Sequence, residues 1–417
     1  MKKILLLGAS ALAVGVGASA AYADDPLKVT LSGTGQEWFG YAANNKSDVG
    51  NISKTFAQSN NSFSLNGSTK LDNGITVGVS FTMNASPGLE GSQAHLNTAG
   101  GALNQTSYAP QTGAPETNIV TFAGGFGSID IGWQPNAAET TALDGPSFGV
   151  GGLTWGRWAG WIVGPTGNNL TAGSGLSAIM DDYWANKVLY ASPTIAGFQA
   201  TASFTPNMAS QDFGATTTNG TSLGNWGGDS SSYALTYAGD FGATKIKAQA
   251  AYTNEEFNGQ PQTTGTIPAN APLAGQGGTV NGYQAGFSAS MAGFTLGGAI
   301  ADREVSGATG ALSAYDLKTA LAQGVTWDVG LSYTTGPWGV AASYFTSQAD
   351  NNNLTLTANG KETDNYYGVS FQYTLGPGIT LDLENAYVDY KVDTAPTSTT
   401  NGKNNGVFSV LSTTVNF

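Results

Sequence analysis

The sequence predicts an all-β transmembrane barrel, an antiparallel up-and-down sheet of about sixteen strands with short turns on one side and long loops on the other. Three observations lead there. Segments of alternating apolar and small polar side chains recur along the chain, and the last, 411–417, ends on the aromatic Phe417. The connections alternate between short and long. Beyond the start of the chain, no apolar run is long enough for a membrane-spanning helix.

The first 23 residues are predicted to be a secretory signal peptide, which leaves 24–417 as the barrel. Residues 1–3 are positively charged overall, 4–18 form an apolar run, and Ala21-Tyr22-Ala23 fits a signal-peptidase site. A helical membrane anchor is the alternative. The apolar run is too short for it, because spanning a bilayer takes about 20 residues.

Composition excludes several functions. The formal net charge of −13 becomes −15 without Lys2 and Lys3, so a nucleic-acid partner is not expected. There is no cysteine, and the only histidine, His95, stands in a polar segment without a nearby catalytic partner. Thiol catalysis and the usual zinc ligand sets are therefore excluded, and we expect no enzymatic activity and no cofactor.

The predicted strands are close to the nine to eleven residues that a tilted membrane strand needs. They cover 27–41, 62–71, 74–84, 117–123, 127–134, 185–191, 196–205, 230–238, 242–255, 279–291, 293–303, 324–334, 336–347, 363–375, 378–391 and 406–417. In 325–333 the polar positions between the apolar residues hold small side chains with few charges, which suits a water-filled interior. Aromatic residues near strand ends, such as Trp38, Trp327, Tyr366 and Tyr387, fit girdles at the membrane interfaces, although some must face the lumen.

Short and long connections alternate along the chain, so all the short ones fall on one side of the predicted barrel and all the long ones on the other. The short turns are 71–74, 124–127, 192–195, 239–241, 291–293, 335–337 and 375–378. The long segments are 42–61, 85–116, 135–184, 206–229, 256–278, 304–323, 348–362 and 392–405. An outer-membrane barrel predicts this pattern, with short periplasmic turns and long extracellular loops. Sixteen strands leave a lumen wide enough for an aqueous channel.

The even set of strands, the segment 188–193 leading to Gly197-Phe198, and the terminal Phe417 resemble the Gram-negative general porin family, particularly porins of α-proteobacteria. The resemblance implies a homotrimer in the outer membrane, in contact with lipid and lipopolysaccharide, that passes small hydrophilic solutes. It also implies that 85–116 interlocks neighbouring subunits and that the barrel-assembly machinery reads Phe417.

In that family the third long loop narrows the lumen, and the matching loop here is 135–184. The predicted constriction residues are Glu139, Asp144, Arg157, Asp181, Asp182 and, on the preceding strand, Asp130. Carboxylates in a narrow throat attract cations and repel anions. The alternative is that a long external loop simply carries solvated charges. Asp181 and Asp182 could also join loop carbonyls around Ca²⁺, although they match no specific calcium loop.

Family members usually set an arginine cluster opposite this loop, and this chain departs from that pattern. Its only arginines are Arg157 and Arg303, and the other predicted basic lumen residues are Lys70, Lys245 and Lys247. A strong transverse field is therefore not expected, and we predict a preference for cations.

The run 155–161 holds three tryptophans. They could stack on sugar rings in the throat, or they could pack the loop against the barrel wall, which is the interpretation we favour. The sequence therefore predicts an outer-membrane porin. The alternatives are a sugar-selective channel and a secreted β-rich adhesin or lectin.

Overall fold

The computed structural model describes residues 28–45, 54–85, 115–150, 153, 161–162, 185–206, 227–257, 277–309, 323–350, 361–393 and 402–417. The strands are β1 (Lys28–Asn44), β2 (Thr55–Ser59), β3 (Ser62–Lys70), β4 (Thr76–Asn84), β5 (Pro115–Gly124), β6 (Gly127–Gln134), β7 (Ala185–Ala191), β8 (Phe198–Thr205), β9 (Gly227–Phe241), β10 (Thr244–Phe257), β11 (Gly277–Met291), β12 (Phe294–Thr309), β13 (Gly324–Thr335), β14 (Trp338–Asp350), β15 (Lys361–Gly376), β16 (Ile379–Val392) and β17 (Lys403–Asn416). One short helix, α1 (Ala137–Thr140), follows β6.

These strands form a closed antiparallel barrel. Each pairs with its neighbours in sequence, and β17 pairs with β1 from Thr34↔Asn416 to Asn44↔Gly406. Both β2 and β3 pair with β1, so they are two parts of one wall strand that is interrupted at 60–61. The wall therefore has sixteen strands, as predicted. No helix among the described residues is long and apolar enough to cross a bilayer.

The predicted strands differ from the observed ones mainly at the long-loop ends. β6 and β7 have the predicted bounds, whereas β12 continues past the predicted end at 303 to Thr309. The sequence also assigned 55–59 to a polar loop, but these residues form β2. Backbone hydrogen bonding continues beyond the apolar alternation because the pairing needs no apolar side chain once the strand leaves the hydrocarbon layer.

The two faces of the wall follow the alternation. On β13, Val325, Trp327 and Leu331 are exposed on the outer surface, while Thr326 and Asp328 are buried on the inner face. A closed sheet leaves no unpaired edge, so its outer surface can be apolar without exposing backbone groups to hydrocarbon.

Aromatic rings form rows near both ends of the outer surface. Towards the long loops, ring contacts connect Trp327, Tyr344, Tyr367 and Tyr387 across β13–β16. Towards the short turns, Phe294 contacts Tyr333, and Trp338 contacts Tyr373. Trp38 and Tyr366, which also lie near strand ends, point inward and are buried.

Candidate functional site

The loop that follows β6 enters the barrel interior at once. Asn136 caps α1 by accepting a hydrogen bond from the Glu139 backbone N–H at 2.9 Å. The N–H groups of Ala137 and Ala138 donate to the hydroxyls of Ser203 and Ser232, each at 3.0 Å. These serines lie on the inner faces of β8 and β9, so the start of the loop is fixed against the lumen wall.

Beyond α1 the loop continues around the inner wall. The Gly145 N–H donates to the Asp328 carboxylate on β13 at 2.5 Å, and the Phe148 N–H donates to the Ser370 hydroxyl on β15 at 2.8 Å. We call the described loop residues 136–150, 153 and 161–162 the inner belt. Polar side chains of the wall thus satisfy backbone donors of the belt that would otherwise be unpaired inside the barrel.

Glycines on the inner face form a groove for the belt. A Cβ added at Gly286 would lie 2.9 Å from the Cβ of Leu143, and one at Gly330 would lie 2.6 Å from the Pro146 carbonyl oxygen. Similar collisions occur at three other glycines of the inner face, namely Gly297 with Asp144, Gly339 with Phe148 and Gly406 with Ile162. The belt therefore approaches the wall more closely than any side chain on these strands would allow.

The far end of the belt packs in an apolar cluster inside the barrel. Val150, Leu153, Trp161 and Ile162 contact buried side chains of the wall, which include Trp38, Phe345, Tyr366, Val388, Tyr390, Phe408 and Val410. Hydrophobic burial therefore holds this end of the belt, in addition to the hydrogen bonds of its first half.

Trp161 packs the loop against the wall, in agreement with the interpretation that we favoured. Its ring stacks on Phe56 at 5.0 Å and meets Phe408 edge-on at 4.9 Å. It is only 6% exposed, so no face of the ring is open to a sugar. The other two tryptophans of the run, Trp155 and Trp158, lie outside the described residues.

The described members of the predicted constriction set lie on different parts of the site. Glu139 belongs to α1, and Asp144 lies in the belt over Gly297 of β12; both are half-buried. Asp130, on the inner face of β6, accepts a hydrogen bond from the Thr121 hydroxyl at 2.6 Å. The other three, Arg157, Asp181 and Asp182, lie outside the described residues, as does most of the predicted interlocking loop 85–116.

The predicted basic residues occupy the inner face at two levels. Lys70 on β3 and Lys245 and Lys247 on β10 lie near the short-turn ends of their strands. Arg303 on β12 lies towards the long loops, where it forms an ion pair with Glu255 at 3.6 Å. The side chains of both members of this pair are largely buried, at 14% and 3% exposure.

Several charged residues of the inner face were missed by the sequence analysis. They are Lys187, Glu255, Asp328, Glu362, Asp364, Asp382 and Glu384. Each lies at an inward position of its strand, between residues that face outward. A systematic reading of the alternation would therefore have found them. Their burial, and the contact of Asp328 and Glu384 with the belt at Gly145 and Gly149, could not be read from the pattern.

These carboxylates differ in their partners. Glu384 accepts a hydrogen bond from the Tyr366 hydroxyl at 2.7 Å. Asp382 accepts from Gln372 at 2.8 Å and from Thr380 at 3.1 Å. Asp364 is 1% exposed, and neither of its oxygens accepts a hydrogen bond, although Glu362 lies close by on the same face. Two neighbouring carboxyl groups in an apolar setting are an unfavourable arrangement.

The last residue closes the sheet on its outer surface. The backbone of Phe417 exchanges two hydrogen bonds with Gly33 on β1, and its ring lies over the same glycine.

Among the described residues, no group of three or more His, Cys, Asp or Glu side chains is placed to hold a metal ion.

Comparisons with known proteins point to one class of protein. A family model described as Gram-negative porin matches residues 8–393. A search of curated protein sequences finds no match to this chain. Solved structures with the same fold include three outer-membrane proteins that are at most 13% identical, so they are informative about the fold alone.

The anion-selective porin from Comamonas acidovorans is 13% identical, with a TM-score of 0.59 over 94% of this chain and 100% of that one. The outer membrane channel DcaP of Acinetobacter baumannii is 12% identical, with a TM-score of 0.58 over 96% and 100% of the two chains. OmpT of Vibrio cholerae, an outer membrane protein, is 12% identical, with a TM-score of 0.53 over 94% and 98%.

Proposed function

Because this chain belongs to the Gram-negative porin family and forms a closed outer-membrane barrel, we propose that it passively conducts ions and small hydrophilic solutes through its lumen. The observation that carries the proposal is the inner belt, which lies along the wall from β8 to β17 and on to β1. A loop held inside the barrel narrows a water-filled path to a size that selects small solutes.

The part of the wall that the described belt does not contact has a polar inner face, which favours the passage of hydrophilic solutes. On β3 and β4 most inner positions carry hydroxyl and amide groups, and several of these bond to one another. Ser64 lies 2.8 Å from Thr82, and the Ser80 hydroxyl donates to Asn66 at 2.7 Å. Such a surface offers donors and acceptors to water and to polyhydroxylated solutes without binding them by charge.

We also propose that the channel prefers cations. Carboxylates of the belt and wall outnumber the basic groups of the inner face, and the chain as a whole carries a net charge of −13. Fixed negative charge beside a narrow aqueous path raises the local concentration of cations. The anion selectivity in the name of the Comamonas porin is a property of that protein, and its 13% identity does not carry it here.

A homotrimer is proposed from the family and from one outward surface. Glu37 of β1 points outward and is exposed, and it accepts a hydrogen bond from the Asn61 amide at 3.3 Å. Small or polar outward residues surround it, including Gly33, Gly35 and Thr413. A carboxylate at mid-strand is costly against lipid, so contact with another subunit is the better environment for it.

The test is planar-bilayer conductance of the purified protein, with the reversal potential recorded in a potassium chloride gradient. We expect stepwise ohmic insertions and a reversal potential of the cation-preferring sign. Replacing Asp130→Asn is expected to weaken that preference, and Lys245→Gln/Lys247→Gln to strengthen it. Absence of current from folded protein would contradict the channel. An anion-preferring current would contradict only the selectivity.

A further inference from the structure

Two lysines are neighbours on the inner face of β10, near its short-turn end. Lys245 and Lys247 are separated by the outward-facing Ile246, so their backbones lie about 7 Å apart along the same face. The Lys247 side chain is exposed to the lumen, and that of Lys245 is half-buried. Within the described part of the chain, neither ammonium group forms an ion pair or a hydrogen bond. Two positive charges this close repel each other, and an anion between them relieves the repulsion.

Hydroxyl groups on the neighbouring strand β11 add further donors. In the sheet register Ser288 lies directly opposite Lys247, on the same inner face. Ser290 lies opposite Lys245 in the same way, and its hydroxyl is 2.9 Å from that of Thr295 on β12. The Cβ atoms of residues paired in this way are about 5 Å apart. Two ammonium groups and two hydroxyl groups are therefore within reach of one small ligand.

The carboxylates around this group do not cancel its positive charge. On β9, Asp240 lies opposite Lys245. The residue opposite Lys247 on that strand is Ala238, so neither strand beside β10 places a carboxylate directly opposite this lysine. Asp144 of the belt lies farther away, over β12, which is two strands from β10. One carboxylate thus faces two ammonium groups.

The inner belt crosses the wall immediately on the long-loop side of the lysines. Gln249, at the next inner position of β10, donates to the Thr141 hydroxyl of the belt at 3.4 Å. On β11 the belt residue Leu143 lies against Gly286, which is the inner position next to Ser288. One inner position corresponds to about 7 Å along a strand. The lysines and serines therefore line the lumen just on the short-turn side of the constriction that the belt makes.

We propose that Lys245, Lys247, Ser288 and Ser290 form a binding site for a doubly charged phosphate group, which we call the phosphate site. Phosphate oxygens accept charge-assisted hydrogen bonds from ammonium groups and ordinary ones from hydroxyl groups. A dianion is favoured over chloride because a single ligand neutralises both lysines.

The phosphate site bears on which solutes the channel passes. The carboxylates of the belt repel anions, so a phosphate-bearing solute meets an electrostatic barrier at the constriction. Bound positive charge directly beyond the belt lowers the free energy of such a solute at that point. The ligand is inorganic phosphate or the phosphate group of a small organic solute. The inference rests on the proposed function, in which solutes move through the lumen beside the belt.

The test follows the reversal potential in a potassium chloride gradient at about pH 8, above the second pKa of about 6 of a phosphate monoester. Inorganic phosphate is added in one series and glycerol 3-phosphate in another. Bound phosphate cancels the charge of the two lysines, so the preference of wild type for cations should rise and then saturate. In Lys245→Gln/Lys247→Gln the half-saturating concentration should be about a hundredfold higher, from about tenfold for each charge-assisted hydrogen bond.

Three further variants serve as controls. Lys245→Arg/Lys247→Arg keeps both charges and should keep the phosphate response. Lys70→Gln removes an inner-face lysine at the short-turn end of β3, on the other side of the barrel, and should respond to phosphate as wild type does. Lys247 is exposed to the lumen, so Lys247→Gln alone is expected to fold and to show about a tenfold loss.

Two results would overturn the proposal. One is an unchanged phosphate response in the double glutamine variant. The other is an equal loss in Lys70→Gln, which would indicate general screening of the lumen and not a site on β10. A response to both ligands supports a site for phosphate-bearing solutes, and a response to inorganic phosphate alone supports a site for the free anion. Current in potassium chloride without any phosphate response would contradict this inference and leave the channel intact, whereas absence of current would contradict the channel itself.

Discussion

Phe417 joins the end of the chain to Gly33 through two backbone hydrogen bonds, 2.9 Å from the Gly33 N–H to the Phe417 carbonyl and 3.0 Å in the reverse direction. The ring lies over the same glycine, where an added Cβ would come within 2.6 Å of its Cζ. The C-terminal aromatic is therefore part of the seam that closes the barrel. Its ring remains 49% exposed on the outer surface.

Gly33→Ala is expected to lower the stability of the closed barrel. The new methyl group would displace the Phe417 ring, and it would also lie 2.9 Å from the Ser62 carbonyl oxygen, which cannot easily move. Overpacking of this kind costs about 1–3 kcal/mol. The measurement is the temperature at which the folded form disappears in detergent gels. Gly35→Ala, whose Cβ would meet only Asn61 at 3.6 Å, should change it little, and an equal loss in both variants would contradict the seam argument.

Gly330→Ala is expected to displace the inner belt and change the single-channel conductance. Its Cβ would lie 2.6 Å from the Pro146 carbonyl oxygen, so either the belt or β13 must shift. Gly78→Ala on the inner face of β4 is the matched control, because its Cβ would find only ordinary contacts at 3.6 Å and beyond. If both variants conducted as wild type does, the groove would not determine the position of the belt.

Trp161→Ala is expected to loosen the far end of the loop without affecting sugar passage. Truncating a buried tryptophan costs about 3–5 kcal/mol, here from the contacts with Phe56 and Phe408. Limited proteolysis should cut within 135–184 faster than in wild type. Trp338→Ala, in the outer girdle and 62% exposed, should leave that cleavage unchanged. Block of the current by sugars in wild type and its loss in the Trp161 variant would favour the sugar-selective channel instead.

Asp364→Asn is expected to stabilise the barrel, because it removes the repulsion between two neighbouring buried carboxyl groups, Asp364 and Glu362. Asp382→Asn should have the opposite effect. Gln372 and Thr380 donate to different oxygens of the Asp382 carboxylate, and the amide nitrogen that replaces one of these oxygens cannot accept a hydrogen bond. Chemical unfolding of the two variants in parallel provides the measurement. Destabilisation by Asp364→Asn would mean that this carboxylate has a favourable partner in the folded protein.

The fold could be predicted from the sequence because alternation and loop length report directly on a closed sheet. The bounds of β6 and β7 were predicted to the residue, since apolar positions and turn residues coincide there. β2 was missed because Asn60 and Asn61 interrupt the alternation, and only pairing with β1 shows that 55–59 belong to the wall. The continuation of β12 to Thr309 is likewise a matter of backbone pairing and not of side-chain pattern.

The candidate site was less accessible to prediction. The position of Arg303 on the inner face follows from alternation, whereas its ion-pair partner Glu255 lies on a strand that is not its immediate neighbour. The inward glycines carried a signal that was not used, because a glycine such as Gly330 at an inner strand position indicates close approach of another segment. Which segment approaches depends on the path of the loop, and single-strand patterns contain no information about that path.

The glycine groove has a consequence for electrical recording. The inner belt is attached to the wall at intervals, from the contact of Ala137 with Ser203 to that of Ile162 with Gly406, so this described part of the loop has few independent motions with which to modulate the bore. The open-state current should therefore be quiet, with little flicker at frequencies below those of side-chain motion. Such a barrel would suit use as a sensing pore, in which residues of the belt that face water are exchanged to adjust the detector while those seated on glycine are kept.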